Sequence, residues 1–181
     1  LGQVTEQPIW QLLGGRTRNG IPVYNSSGGP AYGGRGDRSP GDQGWPGHGI
    51  VGNEGPLNDY WSVVNRPVDY AKELLDEGIR GLKVWTLDFA AHKPGGALFI
   101  SQRDLDEGLR PLRAIREALG NEIELALDGH GFFHLAPALR IAREVRDLNM
   151  LWLEDIIRPD SIDTIADLRH QADVPLAVSE M

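Results

Sequence analysis

Three acidic residues close three short apolar runs in the second half of the chain. Glu124-Leu-Ala-Leu-Asp128 ends on Asp128, Met150-Leu-Trp-Leu-Glu154 on Glu154, and Val174-Pro-Leu-Ala-Val-Ser-Glu180 on Glu180. Glu154 follows Asp128 by 26 positions, and Glu180 follows Glu154 by the same interval. Each run is strand-like, and a helix-like stretch separates each pair. That alternation makes parallel strands joined by right-handed crossovers. Parallel strands point the same way, so their terminal carboxylates meet at one edge of the sheet, the edge where α/β folds bind ligands. Bare carboxylates about 4 Å apart repel by roughly 4 kcal/mol at an intermediate dielectric. A hard divalent cation removes that penalty, and an all-oxygen donor set suits Mg²⁺. Taken singly, each acid is more often a helix cap or a surface charge; the common spacing argues for the metal.

The elements that would carry these residues follow from the rest of the chain. Residues 1–20 read as a helix tail and connector, with Trp10-Gln-Leu-Leu13 stopped by Gly14-Gly15. Ile21-Pro-Val-Tyr24 is a candidate first strand, with Pro22 suited only to its start. Residues 25–58 are Gly/Pro-rich and lack an apolar period, which predicts a functional or mobile loop, a flap over the carboxyl edge with Trp45 and Trp61 as apolar cover. Pro67 to Asp76 reads as a helix closed by Gly78, and Gly81-Leu-Lys-Val-Trp85 as the second strand. Residues 86–102 read as a loop around Pro94-Gly95-Gly96. Helices are predicted over Asp104–Leu119, Leu135–Leu148 and, capped by Ser161, Ser161–Gln171. The last three strands end at Asp128, Glu154 and Glu180.

Five βα-type strands suit part of a (β/α)₈ barrel, which needs about 250 residues to close. Alone, 181 residues would leave two exposed sheet edges, so the chain, which starts at Leu1, is expected to be a piece of a longer protein. An open-sheet α/β binding protein is the alternative. No glycine-rich phosphate motif follows any strand, which counts against a nucleotide site. The net charge of −8 counts against a nucleic-acid partner. No apolar run reaches membrane-spanning length. The chain has no cysteine, which removes disulfide and thiolate chemistry and fits a cytoplasmic location.

With these residues assembled, the chain resembles the enolase superfamily, in its mandelate racemase and muconate lactonizing branch and, within that, the acid-sugar dehydratases of galactonate and mannonate type. Gln11-Leu-Leu-Gly-Gly15 is similar to the junction between that family's capping domain and its barrel. Trp152-Leu-Glu-Asp155 is similar to its fourth-strand motif, with Ile156 where many members carry Pro. The resemblance implies that residues 1–20 connect to an N-terminal capping domain. Residues 21–181 would then supply strands one to five of the barrel. It implies that Asp128, Glu154 and Glu180 are the Mg²⁺ ligands.

Two further positions refine the resemblance. Racemases and epimerases of the superfamily often carry Lys-x-Lys on the second strand, the second Lys being the base. Here the pattern is Lys83-Val84-Trp85, and Trp85 cannot take a proton from carbon. Lys83 would stabilise a substrate carboxylate oxygen beside the metal, or else is a lysine whose stem covers the rim. Asp128-Gly129-His130 places His130 two residues after a ligand, on the same face if the segment is extended. In dehydratases with Asp-x-His the histidine is the general acid on the departing hydroxyl; the alternative is a loop histidine bonded to backbone. Asn25, Trp85 and His48 are expected to face substrate. His134 is expected to cap or pack.

The implied reaction is Mg²⁺-dependent dehydration of a sugar acid through an enediolate to a 2-keto-3-deoxy acid, a hydro-lyase activity. The base would be a seventh-strand His paired with a sixth-strand Asp, beyond Met181, so 181 residues alone would be inactive. The whole protein would take a small-molecule sugar acid and form a homo-oligomer. A racemase or epimerase of the same superfamily, and a non-catalytic metal-binding homologue, are the competing readings.

Overall fold

The computed structural model describes residues 1–28, 54–55 and 58–178. Two four-residue helices, α1 (Gly2–Thr5) and α2 (Ile9–Leu12), open the chain, and neither contains a buried residue. After the Gly/Pro-rich stretch come α3 (Asp59–Asn65) and α4 (Pro67–Asp76). Then β1 (Gly81–Val84), α5 (Asp88–Ala91), α6 (Gln102–Leu119), β2 (Glu124–Asp128), α7 (Leu135–Val145), β3 (Trp152–Glu154), α8 (Ile162–Gln171) and β4 (Leu176–Ala177) follow.

The four strands form one parallel sheet in the order β1-β2-β3-β4. Spatial order equals chain order, so among the described strands the winding never reverses and there is no switch point of the doubly wound kind. Crossovers between parallel strands are right-handed as a rule, and with this strand order they lay successive helices on one side. The helices accordingly neighbour one another in sequence, α4 against α6, α6 against α7 and α7 against α8. This is barrel-type winding, as expected, and not the open doubly wound alternative.

The core lies between helices and sheet. Leu105, Leu109, Leu112 and Ile115, spaced as one helical stripe on α6, are fully buried with Leu82, Val84, Leu125, Leu127 and Leu153 of the strands. Strand residues alternate between two faces. In the β1–β2 register Lys83 lies opposite Ala126, and in the β2–β3 register Asp128 lies opposite Glu154. Lys83, Asp128 and Glu154 therefore project from the face opposite the leucines. Core packing on one face thus fixes the direction of all three polar side chains on the other.

Four sequence expectations are corrected. Ile21–Tyr24 is not a strand; only Asn25 bridges Leu82, with Asn25 N donating to Gly81 O at 2.9 Å and Lys83 N to Asn25 O at 2.8 Å. Pro22 has no amide hydrogen to offer a ladder, and Ile21 and Val23 remain exposed. The stretch 86–102 contains α5 and the first residue of α6, which starts at Gln102 because the Ser101 hydroxyl accepts from Asp104 N. The helix expected over Leu135–Leu148, α7, ends at Val145 and finishes in a 3₁₀ turn, Arg146–Leu148. The last strand is short, Leu176–Ala177. Glu180, His48, Trp45 and nearly all of the expected flap lie outside the described residues.

Candidate active site

Asp128 and Glu154 end adjacent strands, and one cation stands between them. The Lys83 ammonium lies 2.8 Å from Asp128 Oδ2 and 2.5 Å from Glu154 Oε1. Lys83 and Asp128 are buried. Burial alone would pull the Lys83 ammonium down, but hydrogen bonds and attraction from Asp128 and Glu154 outweigh it and hold it above the ordinary lysine value. The second oxygen of Glu154 accepts from Trp152 Nε1 at 2.7 Å. Tyr24 closes this side, its ring edge-on to Trp152 at 5.3 Å and 5.9 Å from the Lys83 ammonium. Both carboxylates are thus held in fixed orientation toward one cation.

Beyond Asp128 the chain turns tightly. Gly129 N donates to Glu154 O at 2.9 Å, and Gly131 N to Asp155 O at 2.6 Å. A side chain at Gly129 would bring a Cβ to 2.9 Å from the Ile156 Cα, so only glycine fits against the end of β3. His130 N donates to Asp128 Oδ1 at 3.0 Å, and His130 takes a left-handed φ of 45°. The extended path expected for Asp128-Gly129-His130 is therefore wrong: the Asp128 carboxylate caps its own turn and swings His130 out of strand alternation. The proximity survives by this other route, with His130 Nε2 3.8 Å from Asp128 Oδ2.

The other ring nitrogen meets a residue that sequence reasoning missed. His130 Nδ1 lies 2.6 Å from Asp88 Oδ2, and both side chains are almost wholly buried. Burial pushes the Asp88 carboxyl up to about 6, against the opposing pull of His130 and with a further push from Asp128. Asp88 starts α5, inside what reads as loop. Its one sequence signal is an acid four residues beyond β1 in Trp85-Thr-Leu-Asp88. Trp85 stacks on Tyr60 with centroids 3.7 Å apart and presents its edge to His130 at 5.9 Å. It thus walls the histidine. Asn25 is held by Asp59, to which its Nδ2 donates at 3.0 Å, and by Ser27, whose N donates to its Oδ1 at 2.6 Å. His134 stands at the N-cap of α7 without a side-chain cap bond.

Lys83, Asp128, Glu154 and His130 are therefore brought together, and Asn25 and Trp85 flank β1. Among the described residues no group of three or more His, Cys, Asp or Glu side chains is poised to hold a metal. The donor set nevertheless fits a hard cation: two strand-end carboxylates, all oxygen, already converge on a positive charge.

Residues 67–181 match the family described as enolase C-terminal domain-like. The chain belongs to this family. Among curated relatives, a D-galactonate dehydratase family member of Streptomyces bingchenggensis is 28% identical over 99% of this chain and 41% of its own length. A second protein of that description, from Catenulispora acidiphila, is 24% identical over 99% of this chain and 37% of its own. A solved enolase of the mandelate racemase subgroup from Agrobacterium tumefaciens superposes with a TM-score of 0.74 at 28% identity, covering 99% of this chain and 38% of that one. An enolase protein from Sargasso Sea environmental sequencing gives 0.72 at 28% identity, covering 98% and 38%. This enolase C-terminal domain-like chain thus spans about two fifths of the length of the curated relatives it matches. No helix among its described residues is long and apolar enough to cross a membrane.

Proposed function

We propose that this chain carries the metal-ligand half of an acid-sugar dehydratase. Residues 1–20 would join a capping domain and 21–181 would belong to the barrel, with the Asn25–Leu82 bridge in the place of its first strand. The observation that carries the reading is the convergence of Lys83 on Asp128 and Glu154 with His130 beside them. Membership of the enolase C-terminal domain-like family and the dehydratase names of its relatives support it.

In this reading Asp128, Glu154 and Glu180 would hold Mg²⁺. When bound, the divalent cation supplies Lewis-acid stabilisation of the charge that develops as the substrate α-proton leaves. Lys83 adds a fixed positive charge where the substrate carboxylate lies. A general base takes the α-proton. His130 Nε2 gives a proton to the β-hydroxyl as the Cβ–O bond breaks, releasing water. The enol left behind tautomerises to the 2-keto-3-deoxy acid. Trp85 replaces the basic residue of the two-lysine racemases and is buried against Tyr60, which favours elimination over that version of racemisation. Absence of cysteine supports a cytoplasmic setting, and the resemblance suggests a homo-oligomer.

The test is to incubate the whole protein with a panel of five- and six-carbon sugar acids and Mg²⁺ and trap 2-keto acids. At least one acid should be dehydrated. His130→Gln should abolish product while still exchanging the α-proton with D₂O. Full-rate product from that variant would remove His130 from the mechanism and restore the racemase reading.

A further inference from the structure

We propose that Asp88 is the positioning residue of His130, fixing its neutral ring with the proton on Nδ1 so that Nε2 faces the Asp128 and Lys83 cluster. The assignment rests on the dehydratase reading only for its consequence in turnover; the tautomer itself follows from geometry.

Nδ1 and Asp88 Oδ2 are 2.6 Å apart, a distance at which one of the two must donate. An ionised carboxylate can only accept, so the proton belongs to Nδ1. The pair is sealed: Asp88 is fully buried and His130 is almost so. The other oxygen, Asp88 Oδ1, has no hydrogen-bond partner among the described residues, so the His130 bond is the main polar anchor seen for this carboxylate. Both partners are held by backbone. Asp88 O accepts from His92 N at 3.2 Å and lies 2.8 Å from His92 Nδ1. His130 is locked in its left-handed turn by its amide bond to Asp128 Oδ1. The ring itself is walled by Trp85 and Phe132, each with its centroid 5.9 Å away.

A ring flip would put a carbon against Asp88 and forfeit the bond. Nε2 is thereby the atom left on the Asp128 side, at 3.8 Å from Oδ2. In the dehydration step the acid is the imidazolium, protonated on both nitrogens: its Nε2–H bond breaks, the proton passes to the departing hydroxyl oxygen, which keeps the electron pair of the broken Cβ–O bond, and the neutral ring with Nδ1–H is left. Nδ1–H stays with Asp88 throughout, and solvent reprotonates Nε2 between turnovers. Asp88 never touches substrate. It decides which nitrogen does.

The test is two-bond ¹⁵N–¹H NMR of the whole protein labelled at histidine, with the His130 signal identified by its absence in His130→Gln. The pH is raised until the ring is neutral. Wild type should show Nδ1–H alone. Asp88→Asn is isosteric, but its amide can either donate or accept, so Nε2–H should appear. In the same variant kcat should fall roughly 10²–10⁴-fold, the span a correctly placed general acid contributes, while KM stays within about threefold. Asp88→Glu, which keeps an acceptor carboxylate, should restore Nδ1–H. Neutral wild-type His130 protonated on Nε2 would overturn the proposal with no variant needed. So would an Asp88→Asn protein that loses kcat while keeping Nδ1–H. If no sugar acid is dehydrated yet wild type shows Nδ1–H, the dehydratase reading fails and the positioning role stands.

Discussion

Replacing Lys83 with Met should expose how much of this site is held together by one ammonium. Met keeps the stem volume and removes the charge. Two contacts are lost, at 2.8 Å to Asp128 and 2.5 Å to Glu154. Each is worth roughly 6–7 kcal/mol of gross attraction at an effective dielectric of about 20, most of it offset by the cost of taking three charges out of water. What remains after substitution is worse than a lost pair, because Asp128 and Glu154 are neighbours across the β2–β3 register. Strands lie about 4.8 Å apart, so the two carboxylates then repel by roughly 3 kcal/mol with nothing between them. Breaking a buried pair from one side typically costs about 3–5 kcal/mol. In chelator, urea unfolding of Lys83→Met should therefore show about that loss, or roughly 6–20 °C in Tm for a chain of this size. Adding Mg²⁺ should then stabilise the variant more than the wild type, since no ammonium competes for the carboxylates; about 2.7 kcal/mol returns at one hundred times Kd. A variant within about 1 kcal/mol of wild type in chelator, or one indifferent to Mg²⁺, would refute the view that these acids form one cation site with Lys83 as its occupant.

Three other outcomes follow from the same geometry. Trp152→Phe removes the 2.7 Å donor to Glu154 Oε2 and should weaken Mg²⁺ binding about 10–100-fold by calorimetry, the usual effect of losing an orienting partner. Gly129→Ala places a methyl 2.8 Å from Ile156 Cδ1 and 2.9 Å from its Cα, so it should cost about 1–3 kcal/mol in urea, and trimming Ile156 to Val should not recover it because the backbone clash persists. Asp88 has a folded value of about 6 against an ordinary 3.8, so the folded state binds the extra proton between those values. Stability must then fall as pH rises through about 4 to 6, by on the order of 2–3 kcal/mol, and Asp88→Asn should lack that slope in denaturant titrations compared with wild type.

How far the site could be read from the residues depends on what carries each one. Lys83, Asp128 and Glu154 ride on strands, where side chains alternate with a period of two and the leucines declare which face is core. Once Leu125 and Leu127 are assigned to the helices, Asp128 has only one direction to point, and register aligns Glu154 beside it and Lys83 two positions back. The first strand failed for a local reason, since a proline early in a four-residue run leaves too little ladder to pair. His130 lies near Asp128, but not by strand alternation. Asp128 Oδ1 captures the His130 amide and forces a left-handed turn where an extended segment is expected, a competition between side chain and backbone that composition does not reveal. Asp88 was invisible because α5 spans four residues, too few for a helical period, amid Pro94-Gly95-Gly96 that reads as loop. Its role comes from a contact across 42 residues of chain, and no spacing rule encodes it. Residues that hold charge in this fold thus announce themselves through strand periodicity. Residues that orient an acid sit past the strand ends, where turns rather than alternation decide direction, and only an atom-to-atom distance identifies them.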